Sequence, residues 1–138
     1  MTATSRHRYE CHVRFSDVDV YGHVNNVKYF EYYQEARLAF LMSLGRDAGE
    51  KGFSLVVARL DVDYKRPILF RPEPYVVESW VTRVGRSSFD IHSEIRDGET
   101  VLSRAQAAMV TFDLEEQRSR PLTEGERRRL LEVAELPA

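Results

Sequence analysis

The side chains of this sequence best suited to chemistry lie together between Phe15 and Tyr29, in the run FSDVDVYGHVNNVKY. It carries two carboxylates (Asp17, Asp19), a glycine (Gly22), a histidine (His23) and two asparagines (Asn25, Asn26). An alternating apolar segment precedes it and a helix-like segment follows, so it reads as a loop entering a helix N-terminus. Backbone N–H groups there lack intrahelical partners and carry partial positive charge. Such donors can stabilise a developing oxyanion. A carboxylate beside them can act as nucleophile or as general base on water. That combination suits attack on an activated carbonyl. Plainer roles are open to the same residues: Asp17 and Asn25 as caps, Gly22 at a sharp bend, His23 as an ordinary loop histidine. Asp17, Asp19 and His23 could also coordinate a metal. No second cluster with ligand spacing accompanies them, so no metal is expected.

The flanking elements must position this loop. Tyr9, Cys11, Val13 and Phe15 alternate with Glu10, His12 and Arg14, which predicts a strand with one buried face and His12 on the solvent side. Cys11 then reads as a small buried hydrophobe rather than a nucleophile. Downstream, Tyr29, Tyr33, Ala36, Phe40 and Leu44 share one helical stripe, and Lys28, Glu31 and Glu35 form a polar one. Asn25 or Asn26 is the expected N-cap and Gly45 the expected stop. Phe30, Tyr32 and Leu41 widen the apolar stripe, so other elements should wrap most of this helix.

A polar stretch, RDAGEKG, separates the helix from a series of strands. Val56, Ala58, Leu60, Val62 and Tyr64 alternate up to Pro67, and PYVVESWVTRV follows Pro74. SSFDIHSEI turns Phe89, Ile91 and Ile95 inward and leaves His92 in solvent. Asp97-Gly98 marks a tight turn. The last long strand places Ala105, Ala107 and Met109 on one face, small enough for close approach of a helix. Thr123 and Glu126 form a capping box opening a terminal helix with Leu130, Leu131 and Val133. Arg127, Arg128 and Arg129 are its expected solvated face. The order predicts a single α+β domain over residues 1–138, with the long helix against one antiparallel sheet. Such a sheet leaves edges to be paired, so a homo-oligomer is expected.

Composition excludes several classes. The net charge of −2 argues against a nucleic-acid partner. The opening MTATSRHRYECH has no apolar core of a signal peptide, and no run approaches a membrane span. With one cysteine no intramolecular disulfide can form, and a cytoplasmic address is expected.

The pattern Asp17, Asp19, Gly22, His23, Val24, Asn25, Asn26 and Tyr29 resembles the signature of the 4-hydroxybenzoyl-CoA thioesterase family. The resemblance continues through Tyr33, Glu35, Ala36 and Arg37, then Tyr64-Lys65-Arg66-Pro67, then Gly85-Arg86-Ser87-Ser88-Phe89. It implies a hotdog fold, a long central helix wrapped by a five-stranded antiparallel sheet. It implies an acyl-CoA thioesterase in which Asp19 attacks the thioester carbonyl or activates water, with amides near Asn26 as oxyanion hole. His23 belongs to the same motif, although relatives vary there and at Asn26, and Asp17 is expected to hold the loop. Arg86 matches a position that binds CoA phosphates at a subunit interface, Ser87 and Ser88 lie beside it as further substrate-binding candidates, and Lys65 or Arg66 is the alternative. No cofactor is implied beyond the CoA of the substrate. A homodimer or a dimer-of-dimers tetramer is implied. An acyl-ACP thioesterase is the near rival, and a non-catalytic acyl-CoA-binding module the more distant one.

Overall fold

The computed structural model describes residues 6–48 and 54–136. The chain runs β1 (His7–Cys11), a single 3-10 turn (Phe15–Asp17), α1 (Lys28–Ala48), β2 (Leu55–Tyr64), β3 (Tyr75–Val84), β4 (Ser88–Asp97), β5 (Thr100–Asp113), the two-residue β6 (Arg118–Ser119) and α2 (Glu124–Glu132). Five strands form an antiparallel sheet in the order β1-β3-β4-β5-β2, and β6 pairs with β5. The expected α+β architecture is present, with β1 and β2 as the sheet edges.

Period-two patterning built the centre of this sheet. Val77, Val81, Phe89, Ile91, Ile95, Ala105, Ala107 and Met109 are buried on the face that meets α1. From the helix, Tyr29, Tyr33, Ala36, Phe40 and Leu44 are buried with them. The apolar contact is joined by a polar chain. The Tyr33 hydroxyl donates to Ser103 Oγ at 2.7 Å, and Ser103 Oγ donates to the Asp63 carbonyl at 2.8 Å. This line ties the middle of α1 to β5 and to the end of the edge strand β2. Gly98, at φ +59°, allows the hairpin between β4 and β5.

Several expectations change. Gly45 does not stop α1, which continues to Ala48, because a glycine inside a helix costs only about 1 kcal/mol. The polar stretch expected after it falls partly within the helix and partly outside the described residues. Neither asparagine is followed directly by helix. A turn spans residues 26 and 27 and α1 starts at Lys28. Phe15 does not continue the first strand, since the chain folds into the 3-10 turn and leaves that ring exposed, edge-on to Phe70 at 5.7 Å. In β2 a bulge between Val57 and Arg59 switches the phase of the alternation. Leu60 and Val62 therefore pack on the core, whereas Val56 and Ala58 are exposed; Tyr64 keeps the phase of Leu60 and Val62 and is exposed at the end of the strand.

The helix is also less enclosed than its composition predicts. Phe30, Leu38 and Met42 remain exposed in the single chain, as does Val27 in the turn before them, because one sheet covers only one side of a helix. His92 is not free in solvent either. Its Nδ1 lies 3.0 Å from Gln106 Oε1 and its ring 4.6 Å from Trp80. Long side chains cover the outer sheet face there, with Arg6 stacked 3.5 Å over the Trp80 ring.

The capping box is present in both directions. Thr123 Oγ1 accepts from the Glu126 amide at 3.1 Å, and Glu126 Oε1 accepts from the Thr123 amide at 2.9 Å. Arg120 adds a bidentate pair to the same buried carboxylate at 2.8 Å. Of the three arginines expected in solvent, Arg128 is exposed. Arg127 instead donates to the Gly85 carbonyl at 2.8 Å, fastening α2 to the β3–β4 loop.

Candidate active site

The loop between β1 and α1 separates its two aspartates by environment. Asp17 is 1% exposed. Its Oδ2 accepts from the Tyr32 hydroxyl at 2.6 Å, from the Arg14 amide at 3.2 Å and from Arg14 Nε at 3.4 Å. Lys28 Nζ stands 3.9 Å from Oδ1. Burial alone would raise the pKa of this carboxyl, but the Tyr32 hydroxyl and the Arg14 amide and guanidinium outweigh it and hold the group below the ordinary aspartate range. The Asp17 carbonyl also accepts from the Asn25 amide at 2.8 Å, closing the loop onto itself. Its place beside β1 and the first turn of α1 is that of a loop fastener.

Asp19, two residues on, is exposed. Its Oδ1 accepts the amides of Tyr21 at 2.9 Å and His23 at 3.1 Å, while its own amide donates to the His23 carbonyl at 2.9 Å. Among the described residues no hydrogen bond reaches Oδ2. Gly22, at φ +77°, provides the left-handed residue this turn requires, and a Cβ there would strain the backbone. The turn is anchored on both sides. Val18 bridges Val24, the Val24 amide donates to the Ile68 carbonyl at 2.8 Å, and the Phe70 amide donates to the Gly22 carbonyl at 3.2 Å.

Asp19, His23, Asn25 and Asn26 line one open cleft of about 370 Å³. Tyr29, Tyr64, Lys65, Arg66 and Pro67 complete its wall. At the turn before α1 the Lys28 amide donates to the Asn25 carbonyl at 2.9 Å and the Tyr29 amide to the Asn26 carbonyl at 3.3 Å. The Asn26 amide has no partner among the described residues, and the Val27 amide has only a 3.4 Å contact to Asn25 Oδ1. A carboxylate with one free oxygen therefore shares a cleft with underused helix-start donors. That pairing can attack a carbonyl and stabilise the oxygen that becomes charged.

Three predicted residues do not join this cleft within one chain. Arg86, Ser87 and Ser88 lie at the other end of the strands. The Leu122 amide donates to the Arg86 carbonyl at 2.8 Å, and the Thr111 amide to the Ser87 carbonyl at 3.0 Å. Tyr64 pairs with Ser103, and Ser88 with Val110, seven residues further along β5. The separation is about 23 Å at the usual strand rise. Arg86 is exposed. Tyr64 was legible as a strand residue and as part of the family resemblance, and its place in this cleft comes from the packing of the β2 end against the start of α1. Cys11 is buried as expected, and burial pushes its thiol up to about 12, unsuited to nucleophilic work at neutral pH. Among the described residues no group of three or more His, Cys, Asp or Glu side chains is placed to hold a metal. Nor is any described helix long and apolar enough to cross a membrane.

Residues 13–137 match the family model of the thioesterase-like superfamily. The Bacillus subtilis (strain 168) protein YsmA is 32% identical over 121 residues, covering 86% of this chain and 81% of that protein. A Thermus thermophilus thioesterase, solved with coenzyme A and zinc, superposes with a TM-score of 0.79 at 32% identity, over 91% of this chain and 92% of that one. The structure of a predicted thioesterase from Bacillus stearothermophilus agrees in fold with a TM-score of 0.85 at 23% identity, over 97% of this chain and 100% of that one. With the family match spanning nearly the whole chain, the loop of paired aspartates belongs to a thioester hydrolase, a member of the thioesterase-like superfamily.

Proposed function

We propose that the protein hydrolyses an acyl-CoA to a carboxylic acid and free CoA, with Asp19 as the group that reacts. The observation that carries this reading is the split use of the Asp19 carboxylate. Two turn amides grip Oδ1, while Oδ2 accepts no hydrogen bond among the described residues and the side chain opens on the cleft. As nucleophile, Asp19 would add to the thioester carbonyl, expel the CoA thiolate and leave an anhydride for water to open. As general base it would take a proton from water as that water adds. Both routes place the developing charge on the thioester oxygen, where the Asn26 and Val27 amides can receive it. His23 contributes through its main chain, which holds Oδ1. The CoA-bound Thermus thermophilus relative supports CoA over acyl carrier protein as the carrier.

The far position of Arg86 bears on assembly. β2 is a sheet edge with unpaired backbone groups, and the exposed Phe30, Leu38 and Met42 on α1, with Val27 just before it, are a second uncovered surface. Antiparallel pairing of two β2 edges about a two-fold axis would bring the Leu55 end of one copy beside the Tyr64 end of the other. The segment Arg86–Ser88 of that second copy would then approach the Asp19 cleft of the first, and Arg86 could hold a CoA phosphate. A homodimer is the smallest assembly that completes such a site.

Steady-state thiol release tests the reading, using CoA thioesters from short to long aliphatic acyl groups and aromatic ones. Turnover on at least one of them is expected. Tight binding of acyl-CoA with no thiol release across the panel would leave a ligand-binding module instead.

A further inference from the structure

Tyr64 is the residue that the proposed chemistry does not yet use. It is the last residue of β2, and its neighbours fix it in place. The amides of Lys65 and Arg66 both donate to the Leu102 carbonyl at 3.0 Å, and Tyr64 itself pairs with Ser103. Asp63, one residue back, receives the Ser103 hydroxyl at the end of the Tyr33 chain. From this anchored strand end the Tyr64 side chain reaches across the cleft. Its hydroxyl donates to the Asn26 carbonyl at 3.1 Å, and its ring meets Tyr29 nearly edge-on, with centroids 4.7 Å apart and planes at 71°.

The Asn26 carbonyl belongs to the peptide whose N–H is that of Val27. A hydrogen bond to the oxygen of a peptide polarises its N–H, so that one makes the other a stronger donor. The bond also fixes the plane of this peptide, because the competing helical contact from the Tyr29 amide is long, at 3.3 Å. We infer that Tyr64 is the positioning residue of the oxyanion hole, bracing the Asn26–Val27 peptide from the sheet edge through its hydroxyl. The inference rests on the thioesterase reading of the Asp19 cleft. Tyr64 acts through the backbone of Asn26, without touching the scissile carbonyl or Asp19.

Tyr64→Phe keeps the ring and its contact with Tyr29 and removes the hydroxyl alone. Because the brace serves only the charged oxygen, kcat should fall on the order of tenfold with KM nearly unchanged, less than the loss of a direct oxyanion donor. The melting temperature should stay within a degree or two of the parent, since the hydroxyl lies on an exposed ring. Two outcomes overturn the inference while leaving the thioesterase reading intact. One is parental kcat in Tyr64→Phe. The other is a raised KM with a fall in melting temperature, which marks a packing role. Asp19→Asn, assayed in parallel, separates the two ideas, because an active Asp19→Asn protein removes the thioesterase site and this role with it. A further readout is independent of activity. In 15N-labelled protein, Tyr64→Phe should shift the Val27 amide resonance and speed its hydrogen exchange relative to amides of the central sheet. An unmoved Val27 amide also overturns the inference.

Discussion

Asp17 and Asp19 stand two residues apart on one loop and differ in almost every physical respect. Asp17 is enclosed between β1 and the start of α1, its Oδ2 bonded to Tyr32 and Arg14. Asp19 is exposed, gripped through one oxygen by the turn that Gly22 permits. Each carboxylate leaves one oxygen without a hydrogen bond, but Oδ1 of Asp17 is sealed from solvent near Arg14 and Lys28, whereas Oδ2 of Asp19 lies on the open cleft. Identity of residue type therefore says little about role. Access to solvent and to the cleft says much more.

The largest effect should come from Asp19→Asn. Turnover should drop on the order of a hundredfold or more, as loss of a base or nucleophile requires, with melting unchanged. Thiol-release kinetics on the folded variant measures it, and parental turnover would remove Asp19 from the chemistry.

Asp17→Asn should reverse the pattern. It replaces a buried acceptor by a group with an N–H₂ that must face Arg14, so stability should fall by about 2 kcal/mol with the larger part of kcat retained. Urea unfolding followed by tryptophan fluorescence reports the first quantity and kinetics the second. Equal catalytic losses at both aspartates, with unchanged melting, would collapse the comparison.

Acid sharpens it further. The folded pKa of Asp17 lies below its ordinary value, so its ionised form adds stability in full above about 3.9. That contribution is lost as pH falls through the lower folded value. The stability gap between parent and Asp17→Asn should thus be widest at neutral pH and narrow below about pH 4. Glu94 and Glu126, whose paired arginines outweigh burial and hold them low too, weaken both proteins alike in acid. The difference between the two proteins, rather than either slope, reports Asp17.

The smallest expected effect belongs to the far end of the sheet. Arg86→Ala should raise KM for acyl-CoA several-fold with less change in kcat, since a phosphate contact is similar in ground and transition states. The deficit should shrink in high salt and with an acyl-pantetheine that lacks the nucleotide phosphates. If the site spans two copies, co-refolded Asp19→Asn and Arg86→Ala subunits should give one intact site per mixed dimer and regain near-parental KM. Failure to complement would remove the shared site, and a parental KM in Arg86→Ala alone would place the phosphate contact elsewhere, with Lys65 or Arg66 beside Asp19 as candidates.

Local sequence determined much of this protein. Periodicity marks the inward faces of β3, β4 and β5 and the buried stripe of α1, because those segments are regular and a single displaced residue would turn their apolar side outward. The Asp17–Tyr29 run marks the loop and its helix start, since turn chemistry and the family signature are both carried by neighbours in the chain. Thr123 and Glu126 specify their capping box within four residues. Tertiary structure alone decided the rest. The β2 bulge turned Val56 off the expected face, and nothing in an alternating run announces an extra residue. The enclosure of Asp17 depends on Tyr32, fifteen residues away, and the Asn26–Tyr64 bond joins residues thirty-eight apart. Those contacts form only when the sheet edge closes over the helix start. A pattern read along the chain tells which residues are buried or turning, but which of two neighbouring carboxylates stays open to solvent is settled by the neighbours that folding brings in.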